Sequence, residues 1–250
     1  MSLLIDDPLF YAVAVPAVLL MGLSKSGFLM GFGSLATPLM ALALPVPQAA
    51  AVMLPLLLAM DATGIRQLWA HRDRALLRLL LPAGLIGTAV GVLLFGVLST
   101  RSVSMVVGAL TLLFLAQRLI FPPHKDAPPP PRAVGFVLGI AGGFTSFVAH
   151  AGSPPLSAYV LPLRLSPLRL TASMAVLFGV LNLSKWIPYA ALGLFDLRNF
   201  VTSLVLLPLA PLGVWLGIWA TKRIASDWFY RIAYFGMFLT GCKLLWDGVG

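Results

Sequence analysis

The chain has 250 residues, of which 60% are hydrophobic and only 10% charged, and its formal net charge is +9. A soluble domain carries about 25% charged residues, so this composition cannot cover a water-facing globule. The positive charge does not point to nucleic acid. Basic residues such as Arg72, Arg74, Arg78, Lys222 and Arg223 stand at the ends of apolar blocks, as they do in cytoplasmic loops of membrane proteins.

Many apolar stretches reach the roughly 20 residues that one helical crossing needs. No short alternating segments of the β-barrel kind occur. An all-α polytopic membrane protein is expected, in contact with the lipid bilayer and without a nucleic-acid partner. Asp6 and Asp7 precede the first apolar block and no basic residue does. That is a poor leader-peptide start, so the block is expected to stay in the mature protein. Cys242 is the only cysteine, which leaves no internal disulfide and no cysteine metal site. No metal or other cofactor is expected.

The opening block, residues 8–44, is too long for one span and barely enough for two. Its middle runs Gly22-Leu23-Ser24-Lys25-Ser26-Gly27 and continues through Gly31, Gly33 and Ser34. Blocks follow at about 48–70, 75–98 and 102–121. Residues 122–132 are rich in proline and cannot be helical. The second half has blocks near 133–163, 168–192, 199–221 and 228–247. Eight membrane segments result, as four plus four, with the first repeat at 1–121, a linker at 122–132 and the second repeat at 133–250.

The second opening block contains Gly139, Gly142, Gly143, Thr145, Ser146, His150, Gly152, Ser153, Pro154 and Pro155. Glycine, hydroxyls and proline at bilayer depth predict helices that break and restart in both opening blocks. Backbone freed there must line a cavity or be packed in protein. Restarting helices offer N–H groups that favour anions. If each opening block crosses twice, the count becomes ten and the halves become inverted. The sequence leaves that choice open.

The halves echo each other. Met53 and Asp61 recur as Met174 and Asn182, 121 residues on. Pro82, Gly87 and Gly91 recur as Pro208, Gly213 and Gly217, at an offset of 126. Gly22 with Pro38 recurs as Gly139 with Pro155, at an offset of 117, and Arg118 recurs as Lys243. Duplicated apolar halves are a mark of transporters, whose site lies where the halves meet. The glycine pairs are expected to serve close helix packing. Trp69, Trp215, Trp219 and Trp246 are expected in the interface belt or the core.

Several polar residues inside the blocks are candidates for chemistry. Lys25, between Ser24 and Ser26, could attract an anion or could emerge at a membrane edge. Lys185 shares a helix face with Asn182, yet stands before Trp186 and Pro188, where an interfacial anchor would also sit. Asp61 could carry a proton or form an ion pair between helices. His150 could couple transport to protons or make a packing hydrogen bond. Thr145, Ser146 and Ser153 could donate hydrogen bonds to an oxyanion. Substrate contact is thus expected from Ser24, Lys25, Ser26, Gly27, Gly31, Gly33, Thr145, Ser146, Gly152, Ser153, Asn182 and Lys185. Asp61 and His150 are the proton-coupling candidates. No constellation of an intramembrane hydrolase, aspartyl dyad or metalloenzyme is present, so no enzymatic activity is expected. With eight spans, basic residues favour the side holding both termini, which the rule of cytoplasmic positive charge then places in the cytoplasm.

The run Gly22-x4-Gly27-x3-Gly31-x-Gly33 with Thr37-Pro38-Leu39 resembles the TauE/SafE family of sulfite exporters and sulfur-anion permeases. So does its second copy, from Gly139-x2-Gly142-Gly143 through Gly152-Ser153-x-Pro155-Leu156 to Tyr159-Val160-Leu161. The resemblance extends over nearly the whole chain. It implies a multi-pass transporter of the cytoplasmic (inner) membrane for sulfite or organosulfonates, driven by the proton gradient in one version, with a homodimer as an open assembly. The chain departs from the family where Val148-Ala149-His150-Ala151-Gly152 replaces a run of glycines. A passive anion channel and a non-transporting assembly or sensor protein are the alternatives.

Overall fold

The computed structural model describes residues 4–26, 32–40, 42–44, 46–94, 97, 99–120, 128–193 and 196–249. Helices account for the described secondary structure, and no strand occurs among those residues. The first half holds α1 (Pro8–Lys25), α2 (Ala36–Met40), α3 (Val46–Leu68), α4 (Arg74–Leu93) and α5 (Thr100–Ile120). The second holds α6 (Arg132–Ala149), α7 (Ser153–Val160), α8 (Pro167–Ser184), α9 (Trp186–Ala191), α10 (Leu197–Leu206), α11 (Leu209–Thr221) and α12 (Ser226–Val249). Short 3₁₀ turns precede α2 and follow α3 and α7.

Local chemistry explains several starts. Asp7, Asp73 and Asp196 each accept hydrogen bonds from backbone N–H groups of the first turn of α1, α4 and α10, as N-caps do. The second opening block breaks where expected. α6 stops at His150, whose left-handed backbone (φ 51) ends the helix, and α7 starts at Ser153. In the first block, α1 ends at Lys25 and a 3₁₀ turn begins at Phe32; Gly27 and Gly31 lie outside the described residues.

Four described helical stretches are long and apolar enough to cross a membrane, and a fifth counts if α10 and α11, bent by 42°, form one span. That is short of the eight expected segments.

The most extensive packing joins the halves. α4 lies on α6, α5 on α12, α1 on α11 and α3 on α8. Missing side chains allow this proximity. A Cβ on Gly22 would stand 2.9 Å from the Cα of Gly213, and one on Gly87 would stand 2.0 Å from the carbonyl oxygen of Ile140. Such small-residue contacts let helix backbones meet.

The same contacts give the helix directions. Gly213 meets Gly22 and Gly217 meets Ser26, so α1 and α11 run parallel. Gly139 meets Ala83 and Gly91 meets Phe147, so α4 and α6 also run parallel. In contrast, Gly64 meets Ala175 while Asp61 meets Asn182, so α3 and α8 are antiparallel. α5 and α12 are antiparallel as well, with Gly108 at Leu245 and Gly248 at Met105. At one end of the bundle the starts of α1, α3 and α10 are tied together, by Ile5 to Thr202 and Gln48 to Asn199. α1 and α3 therefore point the same way, and the 3₁₀ turn and α2 are the return limb between them.

This order sorts the basic residues by end. Arg66, Arg72, Arg74 and Arg78 lie at the α3–α4 junction, and Arg118 and Arg132 at the neighbouring ends of α5 and α6. Arg164 precedes α8 and Arg169 lies in its first turn, and Lys222, Arg223 and Arg231 flank the start of α12, at that same end. The opposite end holds Arg101, Arg198 and Lys243 with the first and last described residues. The eight-span sorting had divided these charges differently because it let each opening block cross once. Trp69, Trp215, Trp219 and Trp246 are all exposed on the outside of the bundle, where a lipid interface would meet them.

Candidate functional site

The α3–α8 crossing carries the polar centre. Asp61 draws its partners from other helices. Lys25, at the end of α1, forms an ion pair with its Oδ1. Asn182 of α8 donates Nδ2–H to its Oδ2 over 2.7 Å. Asp61 is buried, and the Lys25 side chain keeps only 11% of its surface. Both carboxylate oxygens are thus engaged, which buried carboxylates require.

The network continues through Lys185, which is 0% exposed. Its ammonium shares three N–H groups among four acceptors, of which the Asn182 Oδ1 (2.9 Å), the Ser146 carbonyl (2.7 Å) and the Ser146 Oγ (2.8 Å) are the oxygens. It also lies 3.2 Å from the His150 Nδ1. The His150 Nε2 faces a backbone carbonyl oxygen, which can only accept, so Nδ1 accepts from Lys185 and the ring proton sits on Nε2. That nitrogen is 3.1 Å from the carbonyl oxygen of Ala50, which it can bond. Two bonds thereby hold the left-handed residue, a backbone state that costs of order 1–3 kcal/mol in a non-glycine residue.

A cavity opens beside this network. It gives about 50 Å³ to the centre of a water-sized sphere, against the roughly 10–15 Å³ that one water needs. Ser24, Lys25, Gly33, Asp61, Ser146, His150, Ser153 and Asn182 line its polar side. Met21, Leu57, Leu156, Met174 and Phe178 form the apolar wall. The Lys25 Nζ stands 5.2 Å from the centroid of the Phe178 ring, within cation–π range.

The directions of the hydrogen bonds decide what the cavity offers. The Ser24 Oγ accepts from the Gly33 N–H at 2.9 Å, so its own proton remains to donate. The Ser146 Oγ accepts from Lys185 and keeps its proton likewise. Asn182 uses its carbonyl on Lys185 and one N–H on Asp61, leaving the second N–H. These groups turn donors toward the cavity, beside the Lys25 ammonium. Such a lining suits an anion.

Four expected contacts lie off this cavity. The Ser26 hydroxyl bonds the Leu23 carbonyl and packs where a Cβ of Gly217 would be. The Thr145 hydroxyl turns back onto its own helix, at the Ala141 and Gly142 carbonyls. Gly152 packs against the Gly142 carbonyl and Ser146. Lys185 stands behind the wall formed by Asn182, Ser146 and His150, and its burial rules out the interfacial-anchor reading. The restarting helix also offers fewer N–H donors than expected. Pro154 and Pro155 occupy its first turn and have no N–H to give. Ser157 joins the cavity wall without having been singled out. It follows Ser153 by four residues, the spacing of one helix face, and that spacing was its signal.

The family model described as Sulfite exporter TauE/SafE matches residues 14–244 of the chain. No curated protein and no solved structure matches it.

Proposed function

The chain belongs to the sulfite exporter TauE/SafE family, and from that membership we propose that it exports sulfite, or a related small sulfur oxyanion or organosulfonate, across the cytoplasmic membrane. The observation that carries this reading is the cavity at the α3–α8 crossing, where Lys25 and an array of donors meet between the halves. Lys25, Ser24, Ser146, Ser153 and Asn182 bind the anion. Asp61, paired with Lys25, is the group a coupled proton would reach, and His150 is the second such candidate.

The halves act as an inverted duplication. Exchange of the halves maps α1 on α11 onto α6 on α4, and it maps the antiparallel α3–α8 and α5–α12 pairs onto themselves. Each half then passes the membrane five times, with the short α2 and α7 limbs as returns. The end rich in arginine faces the cytoplasm and both termini face outside.

Alternating access runs between two latches that this exchange also relates. At the arginine-rich end, Arg169 of α8 bonds Asp73 at the start of α4 over 2.8 Å, and the Asp73 N–H bonds the Ser173 Oγ over 2.8 Å. At the opposite end, Gln48 of α3 bonds Asn199 of α10 over 2.8 Å, and the Ser203 Oγ bonds the Val52 carbonyl over 2.7 Å. Gln48 and Val52 precede Arg169 and Ser173 by the 121 residues that separate Asp61 from Asn182. Each latch ties one half to the other, so rocking of the halves must release one end at a time.

The test is counterflow. Proteoliposomes loaded with unlabelled sulfite should transiently accumulate labelled sulfite above equilibrium, and Lys25→Ala should abolish this. Non-saturating flux without counterflow would make the protein a channel. No flux of sulfite or of a panel of sulfur oxyanions, with folded protein, would leave a non-transporting membrane protein.

A further inference from the structure

We propose that the cavity selects singly charged oxyanion heads over doubly charged ones, and that Lys185 sets this preference without touching the substrate. The inference rests on the reading of the cavity as the transport site.

The charge count comes first. Among the described residues, the connected network at the cavity contains the Lys25–Asp61 ion pair and Lys185, whose Nζ faces the Ser146 carbonyl, the Asn182 Oδ1 and the His150 Nδ1, three acceptors that an ammonium can serve and a neutral amine cannot. His150 enters it as a neutral ring, because its Nδ1 accepts from Lys185. The network therefore holds one positive charge in excess. Buried charge without a partner is costly where water is excluded. A monoanion brings the filled site to neutrality. A dianion leaves it one negative charge, and a neutral molecule leaves it positive.

Hydrogen bonding points the same way. The groups turned toward the cavity by Ser24, Ser146 and Asn182 are donors. The Asp61 oxygens, the acidic acceptors at hand, already serve Lys25 and Asn182. A head of acceptor oxygens carrying one charge fits, with the rest of the molecule against Leu57, Met174 and Phe178. For sulfur chemistry this means hydrogensulfite or a short alkanesulfonate, in preference to the sulfite dianion or sulfate.

Lys185 is a positioning residue here. Its ammonium orients Ser146, Asn182 and His150 from behind the wall and supplies the excess charge. Such a role makes an unusual demand on its variants: removing it should change which ligand charge is preferred, and not merely weaken binding.

The experiment uses three compact tetrahedral molecules that differ by unit charge: dimethyl sulfone, methanesulfonate and sulfate. Each competes against counterflow of labelled sulfite in proteoliposomes. Each is also tested for thermal stabilisation of the purified protein, which reports binding without transport. In the native protein, methanesulfonate should bind about tenfold or more tighter than either neighbour, a difference of about 1.4 kcal/mol. Lys185→Met should move the optimum toward dimethyl sulfone. Asp61→Asn should move it the opposite way, toward sulfate. Equal or tighter binding of sulfate by the native protein would overturn the proposal. So would the same proportional loss for all three molecules in both variants, which marks a structural role. If Lys185→Met does not fold, the native series and Asp61→Asn still decide. Normal sulfite exchange with a flat charge series would sink this inference alone. Absence of sulfite counterflow and of stabilisation by any of these molecules, sulfite included, would sink the transport reading beneath it.

Discussion

Asp61 and Asn182 stand 121 residues apart in sequence and face each other across the α3–α8 crossing, with the Asn182 amide donating to the carboxylate over 2.7 Å. Equivalent positions of two halves can touch only at the axis that exchanges them. In the inverted arrangement proposed above the pair would mark that axis, and it lies on the wall of the cavity.

Lys25 holds Asp61 from the other side, so its loss separates two roles. Lys25→Met leaves a buried carboxylate without its counter-charge and is expected to cost about 3–5 kcal/mol of stability. Adding Asp61→Asn removes the stranded charge and should recover most of that loss. Transport should stay abolished in both. Thermal unfolding in detergent and counterflow measure the two effects, and normal transport by the double variant would remove the ion pair from the mechanism.

The latches should act on opposite sides. With Cys242 replaced by Ser and a cysteine placed at Ser153 on the cavity wall, Arg169→Gln should raise labelling by a membrane-impermeant thiol reagent from the cytoplasmic face several-fold. Asn199→Ala should raise it from the outer face instead. Each comparison needs sealed vesicles of both orientations. Matching changes on a single face would break the assignment of one latch to each end.

His150 combines a backbone strain with two side-chain bonds. Glycine relieves the left-handed strain, by roughly 1–2 kcal/mol, while each lost hydrogen bond costs about 1 kcal/mol. His150→Gly is thus expected to change stability by less than about 1–2 kcal/mol. Transport should nevertheless fall about tenfold or more, because Lys185 loses an acceptor beside the cavity and shifts against Ser146 and Asn182. Full-rate transport by the glycine variant would reduce His150 to a helix stop.

Orientation can be read with fusions at the C-terminus. Alkaline phosphatase there should be active and green fluorescent protein dark, since both termini share the end poor in basic residues. The reverse pattern would place the Arg169–Asp73 latch outside.

Much of the site was legible in the sequence because the duplication exposed it. The echo of Asp61 by Asn182 and the polar run around Lys25 singled out these three residues, while which cation pairs with Asp61, among Arg66, Lys25 and Lys185, stayed open until the fold placed Lys25 against it. Helix direction was not legible. An opening block of this length fits one crossing or two, and that single ambiguity decides the face to which the later basic residues belong. The burial of Lys185 was hidden for a different reason. Trp186 and Pro188 beside it look like a membrane boundary in one dimension, whereas its four acceptors come from α6, the α6–α7 break and its own helix. Hydroxyl direction was equally out of reach, since Thr145 and Ser146 both offer a hydroxyl and only the face of α6 decides which one meets Lys185.

One asymmetry remains in a largely two-fold arrangement. Pro82 sits inside α4, an uninterrupted helix of 20 residues. Its counterpart Pro208 sits where α10 and α11 part at 42°. Under the alternating access proposed above, the two mouths would then differ in compliance. The outer mouth can yield by swinging the ten-residue α10 about a ready-made joint, while the inner mouth yields only when all of α4 moves with its neighbours. In the proposed carrier this asymmetry makes the outward opening the easier one to reach, while the gradient across the membrane sets the direction of net flux.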